Sequence, residues 1–438
     1  MSILKSNCEF FRNKAPSNKL RKNLIILSFL GTFFGSTLYF YNYIIGAPAG
    51  SSDLPELKIL CDSELDTDKM VECTIELECK DKSKCVETIK AEIKIKGGGA
   101  GASSYPKKGY RLKLSQEISL LGMNKEDDWN LYSLYLDLPR VRTKFASDLW
   151  GSLEPTDPTA KSEDSEFILL YFNGEYQGLY LLSERYNRKF FGLEDAMNNV
   201  NSSLIFQAKG GCCLFHQNQG RWQQDWPNNY EGYDIIDHVL YEITDLITNT
   251  TNDLFFDSEI GIFSKFSKIN LIDFFIFNFF IDHRDFWNKN YYIVRDTHPS
   301  KFFLIPSDYD GCLGQYGWNF YDPEANFERF IVCHNKLFNR LLNDKKFRQE
   351  CKNRWFELRN MLWTDDYFFD KIFDIYYEIK DEIELDTFIW IDTLQDYCKK
   401  DYEDDVKEYI ENLFEYIPKR LNFCDNYFES LESNIRKS

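Results

Sequence analysis

FILLYFNGEYQGLYLLSE, residues 167–184, decides how the front of this chain folds. Two runs rich in aromatic and aliphatic residues flank Asn173-Gly174. Asn-Gly takes positive φ readily, as a two-residue hairpin turn requires, so the stretch predicts a β-hairpin. Upstream, VECTIELEC (71–79) and ETIKAEIKIK (87–96) alternate in the manner of half-buried strands. KGGGAGASSYPKKGYRLKL (96–114) adds a Gly-rich turn and a strand with Tyr110, Leu112 and Leu114 on one face and Arg111 and Lys113 on the other. Residues 137–152 predict a helix with Asp137 as N-cap and Pro139 in its first turn. LIFQAK (204–209) predicts another strand. INLIDFFIFNFFID (269–282) reads as a buried helix, followed by strands over 290–296 and 301–308. From about residue 335 the pattern is helical and amphipathic. Strands come first and helices last, which predicts an α+β fold.

Charge sets limits on function. The net charge is −18, yet residues 1–23 carry six Lys/Arg against one Glu, leaving −23 for the rest. So acidic a body excludes nucleic acid as a partner bound through its phosphates. Protein substrates, or small ligands that bring cations, remain.

Residues 24–46 contain no charged side chain. A run of about 20 apolar residues spans a bilayer, and the basic flank before it is expected to stay in the cytosol. The expected order is a basic cytosolic tail (1–23), a transmembrane signal anchor (24–46) and a linker (47–55), with the body lumenal or extracellular. Secretion after signal cleavage is the alternative, since Ala47-Pro48-Ala49 resembles a small-residue cleavage site. Of twelve Cys, eleven follow the apolar run, and Cys61, Cys73, Cys79 and Cys85 fall close together. That cluster predicts two disulfides in a small β-rich segment over 56–95. Zinc is disfavoured, because no Cys-x-x-Cys pair is present. Asn201-Ser202-Ser203 and Asn249-Thr250-Thr251 are glycosylation sequons.

The chemistry-bearing stretch is HRDFWNKN, residues 283–290. His-Arg-Asp followed five positions later by Asn has the spacing of a protein-kinase catalytic loop. Asp285 is the candidate catalytic base. Asn290 is a candidate metal ligand, with Asp308 and Asp310 in PSDYDGCLG returning beside it at the end of the following strand pair. Carboxylate and amide oxygens of this kind suit Mg²⁺. Gly99 and Gly101 in the Gly-rich turn are candidates to cover phosphates, because glycine lets backbone N–H groups approach closely.

Several blocks together resemble the CotH (spore coat protein H) kinase family. They are KGGGAGASSYPKKGYRLKL, DLPRVRTKFASDLW (137–150), LLYFNGEYQGLYLLSE (169–184), DFWNKNYYIV (285–294) and FFLIPSDYDGCLG (302–314). The resemblance implies a two-lobed atypical protein-kinase-like fold, with an N-lobe over 96–210 and a C-lobe over 211–438. It implies transfer of the ATP γ-phosphate, with Mg²⁺ or Mn²⁺, to Ser/Thr of secreted or surface proteins. It assigns Asp285 as the catalytic-loop acid, Asp308 as the metal acid and Asn290 as its polar partner. Lys113 or Arg111 becomes the phosphate-facing cation. Arg142 and Glu184 become further nucleotide-side residues, with Arg142 expected to pair with Glu184 or another acid. A catalytically weak surface adhesin or coat component, and an AMP-transferring pseudokinase, are the alternatives.

Overall fold

The computed structural model describes residues 53–96, 105–209, 222–228, 236–284, 289–316, 319–326, 328, 335–398 and 406–431. The first seven strands close into a barrel. They are β1 (Glu56–Leu60), β2 (Val71–Glu78), β3 (Val86–Ile95), β4 (Tyr110–Ser119), β5 (Lys125–Tyr132), β6 (Ser165–Phe172) and β7 (Glu175–Ser183). Their order around the barrel is β1-β2-β3-β4-β5-β7-β6. Neighbours are antiparallel except at the seam, where β1 runs parallel to β6 with Glu56 opposite Leu169 and Ile59 opposite Phe172. Inward side chains alternate along each strand. Leu57, Ile59, Ile75, Leu77, Ile93, Leu112, Trp129, Leu131, Ile168, Leu170 and Leu182 fill the interior.

Helix α1 (Arg142–Gly151) lies between β5 and β6 in sequence. The short helix α2 (Arg188–Phe191) follows β7. A second sheet has the order β11-β10-β8-β9. Its strands are β8 (Leu204–Ala208), β9 (Trp222–Trp226), β10 (Tyr291–Arg295) and β11 (Phe303–Pro306). Helices α3 (Ile236–Asn249), α4 (Asn252–Phe255), α5 (Ile262–Lys265) and α6 (Lys268–Phe280) separate β9 from β10. Two short strands, β12 (Gln315–Tyr316) and β13 (Asn319–Phe320), precede α7 (Lys336–Asn343), α8 (Lys345–Met361), α9 (Asp365–Cys398) and α10 (Val406–Ser430).

Helix α6 is apolar on every side, and every residue from Asn270 to Phe280 is buried. A helix of that kind belongs in a core rather than at a surface. It packs on β11 and α8. Its few polar groups are all engaged: Asn270 Nδ2 donates to Leu304 O at 3.1 Å while its Oδ1 accepts from Leu304 N at 2.7 Å. Asp273 takes two bonds from the Arg354 guanidinium at 2.8 and 2.9 Å.

The barrel is fastened to α9 through a buried ion cluster. Asp386 Oδ1 accepts from Lys107 Nζ at 2.6 Å and from Leu179 N at 2.9 Å, and Oδ2 accepts from Arg140 Nε at 2.8 Å. All three charged side chains are 0–3% exposed. Gly178 makes room for the carboxylate: its φ is +100°, and a Cβ there would lie 2.1 Å from Asp386 Oδ1.

Three expectations are corrected. The layout is not a two-lobed kinase fold, because β1–β7 form a closed barrel and the remaining sheet and helices pack beside it. Closure follows from the β1–β6 seam, which no local pattern announces. A single-pass anchor is not supported: among the described residues no helix is long and apolar enough to cross a membrane. The segment 24–46, read as that span, lies outside the described residues. Finally, Cys61, Cys73, Cys79 and Cys85 carry free thiols, so the expected disulfides are not formed.

Candidate active site

A cleft opens between the barrel and the second sheet. Its lining includes Lys96, Gly109, Tyr132, Ser133, Glu163, Ser183, Asp308 and Asp310. Each arrives from a strand end. Lys96 follows β3, and its N–H donates to Gly109 O at 2.8 Å across the start of β4. Glu163 precedes β6, and Asp308 and Asp310 follow β11.

Lys96 is half-buried and its Nζ sits 3.9 Å from the centroid of the Tyr132 ring. Burial lowers its pKa, and the charges of Asp308, Glu163 and Asp310 pull it back up. Glu163 accepts from the Ser183 hydroxyl at 2.6 Å and from the Tyr132 hydroxyl at 3.3 Å. Burial raises its pKa, against the pull of Ser183 and Lys96. The result is a cation and a carboxylate that act on each other, with Asp308 and Asp310 acting on the same cation.

Asp308 is exposed to the cleft and adopts φ 63°, ψ 71°. Left-handed backbone at a residue other than glycine costs of order 1–3 kcal/mol and persists only where neighbours enforce it. His283 is the enforcing neighbour: its Nε2 lies 2.9 Å from Asp308 O, and its Nδ1 lies 3.4 Å from Asn278 Oδ1 on α6. His283 is thereby tied to the segment that carries the acids. Asn290, also at positive φ (62°), accepts from Ser307 N through its carbonyl at 2.9 Å. That bond places Asn290 one residue from Asp308 across the hairpin base.

Two more cations act on this region. Arg185, just after β7, donates to both oxygens of Asp128 at 3.1 and 3.2 Å and is felt electrostatically by Lys96 and Glu163. Lys209, just after β8, has its pKa lowered by burial and raised in turn by Asp225 and Asp308. Lys96 and Lys209 thus act on Asp308 from two different strand ends.

The other sequence candidates fall in different places. Asp285 lies outside the described residues, as do Gly99 and Gly101. Lys113 pairs with Asp127 at 2.8 Å, and Arg111 bonds Asp128 at 2.6 and 2.9 Å, both on the outer face of the β4–β5 pair. Neither lines the cleft. Arg142 is buried; its N–H and guanidinium bond the Asp137 carboxylate at 2.7 and 3.1 Å, and its Nε reaches Leu313 O at 3.4 Å. Of the two expected partners, another acid, Asp137, takes Arg142 in place of Glu184. Glu184 accepts from the backbone N–H groups of Asn124 at 2.9 Å and Asp164 at 3.2 Å. Lys96, Glu163 and Arg185 were missed as site residues. Lys96 reads in sequence as the start of a Gly-rich turn, and Glu163 is one of three acids in KSEDSEF (161–167) with nothing to mark the one that turns inward.

Among the described residues, no group of three or more His, Cys, Asp or Glu is placed to hold a metal by itself. Asp308 and Asp310 line the same cleft. A pair of carboxylates fits Mg²⁺ or Mn²⁺ that takes its remaining ligands from phosphate oxygens and water, and does not fit an all-protein metal cage.

Comparison with known proteins agrees with the blocks identified in the sequence. Residues 93–424 match the family model described as CotH kinase protein. The inner spore coat protein H of Bacillus subtilis (strain 168) is 25% identical over 353 residues, which is 77% of this chain and 89% of that protein. The family match spans the cleft's Lys96, Glu163, Asp308 and Asp310 together with the fastening residues Lys107, Arg140 and Asp386, and the chain therefore belongs to the CotH kinase protein family.

Proposed function

We propose that this chain binds ATP with Mg²⁺ or Mn²⁺ in the cleft and transfers the terminal phosphoryl group to Ser/Thr hydroxyls of protein substrates. The observation that supports it most is the convergence of Lys96, Asp308 and Asp310 on one cleft, with Asp308 held in a strained conformation by His283. Phosphoryl transfer asks for positioning and charge neutralisation more than for covalent chemistry, and this arrangement offers both. Asp308 and Asp310 would hold the cation, with Asn290 beside them, and the cation would neutralise charge on the phosphates. Lys96 and Lys209 would face the phosphate oxygens. Glu163 orients Lys96 through Tyr132 and the local field. In the reaction the acceptor hydroxyl oxygen bonds to the terminal phosphorus while the bond to the bridging oxygen breaks, and ADP leaves. The hydroxyl proton goes to Asp285, which lies two residues after His283.

The test uses the full chain with γ-labelled and, separately, α-labelled ATP, Mg²⁺ or Mn²⁺ and a generic acceptor protein. Label from the γ position alone, lost in Asp308→Ala, is the expected result. Label from the α position means nucleotide transfer from the same site. No label, with no metal-dependent thermal shift on adding ATP, refutes the reading and favours a binding or coat role.

A further inference from the structure

Four cysteines that the cleft does not use lie in or directly beside the first three strands. They sit as two separate pairs. The β1–β2 register sets Leu60 opposite Thr74, so Cys61 and Cys73 are the next opposed residues beyond it. Directly opposed antiparallel residues have Cα atoms about 4.5–5.5 Å apart, within the about 4.4–6.8 Å that a disulfide spans. The two thiols are within hydrogen-bond reach of each other, and both residues are buried. Cys61 is also pinned from the far side of the seam: its N–H donates to Asn173 Oδ1 at 2.8 Å, and Asn173 Nδ2 donates to its carbonyl at 3.0 Å. The second pair flanks the β2–β3 turn, just outside the opposed residues Leu77 and Val86. Cys85 Sγ lies 3.1 Å from Cys79 N and 3.0 Å from Cys79 O, and the two thiols are again hydrogen-bonded.

Structural zinc takes three or four thiolate or imidazole ligands at one point, and no such group exists among the described residues. Each pair is therefore closed to zinc and open to a bond between its own two sulfurs. Cys312, Cys351 and Cys424 are fully buried thiols elsewhere in the chain and provide an internal contrast.

We propose that the barrel carries two oxidisable staples, Cys61–Cys73 and Cys79–Cys85, each closed by a disulfide oxidant such as oxidised glutathione. For each staple two S–H bonds break and one S–S bond forms. The two electrons and two protons pass to the oxidant, whose own disulfide is reduced to two thiols. The staples join β1 to β2 and β2 to β3. Burial raises the thiol pKa of Cys61 and Cys73 above its usual value, and that of Cys79 to about 12. A raised thiol pKa slows closure, which needs thiolate to attack the oxidant, but it also makes these sulfurs poor leaving groups, so external thiols reopen the closed bonds slowly.

The experiment equilibrates the full chain with oxidised glutathione or with a reductant. Each sample is then alkylated with N-ethylmaleimide under denaturing conditions, digested and mapped by mass spectrometry. Expected are linked peptides joining Cys61 to Cys73 and Cys79 to Cys85, with Cys312, Cys351 and Cys424 alkylated. A Cys61→Ser/Cys73→Ser double variant should lose the first linkage and keep the second, which separates local pairing from a failure to fold. Alkylation of all four cysteines after oxidation, or crossed linkages such as Cys61–Cys79, overturns the proposal. The outcome is independent of whether the cleft transfers phosphate.

Discussion

Replacing Asp386 with Asn removes the carboxylate that two buried cations share. The amide keeps the shape and one acceptor, so the change is close to a pure loss of charge. Lys107 and Arg140 then face each other without it, in a place where neither is more than 3% exposed. Breaking a buried ion pair by removing one partner costs about 3–5 kcal/mol, against a total folding stability of about 5–15 kcal/mol. The loss should depend on pH in a defined direction. Burial pushes the Lys107 pKa down to about 8, with Arg140 lowering it further and Asp386 pulling it up. Its folded value lies below the unfolded 10.5, so the unfolded chain holds more protons between about 8 and 10.5 and stability rises with pH across that window. Without Asp386 the folded value drops further and the window widens downward. Urea unfolding of parent and Asp386→Asn, read by tryptophan fluorescence, should show the full loss at about pH 6 and a smaller one at about pH 9.5. A loss under about 1 kcal/mol, or one equal at both pH values, would refute the assignment of this cluster as the fastening between barrel and α9.

Three further outcomes are expected. Lys96→Met should lower phosphoryl transfer by about 10²–10³, the scale of losing one charge-stabilising donor, while Lys113→Met should leave it unchanged because Lys113 pairs with Asp127 away from the cleft. Steady-state kinetics on both variants decide between the two lysines. His283→Ala removes the bond to Asp308 O and should lower turnover about 10–100-fold and raise the metal concentration needed for half-maximal rate, with partial recovery in His283→Gln. Equal activity of His283→Ala and parent would show that the histidine does not position the acid. Asp282 is buried beside Tyr416, Arg284 and Arg420, and burial raises its pKa to about 7. The folded value exceeds the unfolded one, so ionising it costs stability as pH rises from about 4 to 7. Asp282→Asn should therefore be neutral near pH 4 and stabilising by up to about 4 kcal/mol above pH 7, checked by thermal melts at both.

What was legible in the sequence was local. Asn173-Gly174 marked the β6–β7 hairpin because the turn chemistry and the alternation lie in one short stretch. The predominantly apolar run marked α6, and the strands on either side of THPS (297–300) marked β10 and β11. The cleft was legible only in part. Alternation correctly put Arg111 and Lys113 on one face of β4, but that face points away from the interior, where Asp127 and Asp128 on β5 neutralise them. Lys107, in the Pro-Lys-Lys block, read as part of a basic motif. Its partner Asp386 lies 279 residues further on, and no spacing rule reaches that far. Asp137 does not cap α1 from the N-cap position, which Val141 occupies. It nonetheless accepts the Arg142 N–H, so the residue type was informative even though its position in the helix was not.

The seam of the barrel has a consequence for how the protein is made. β1 is the first of the described strands to leave the ribosome, and its second neighbour, β6, begins at Ser165. At the usual rates of synthesis, β1 waits on the order of ten seconds for that partner. During that interval the nascent chain presents Leu57, Ile59, Ile75 and Leu77 on a sheet that cannot yet curl shut. The same dependence applies to a shortened protein. The family match starts at residue 93, beyond β1, β2 and most of β3. A chain begun there would leave β4 and β6 as bare edges and uncover Leu112, Leu114, Ile168 and Leu170 to other chains. The span that defines kinship is thus smaller than the span that folds, and expression from residue 93 should yield aggregate where expression from before residue 56 yields soluble protein.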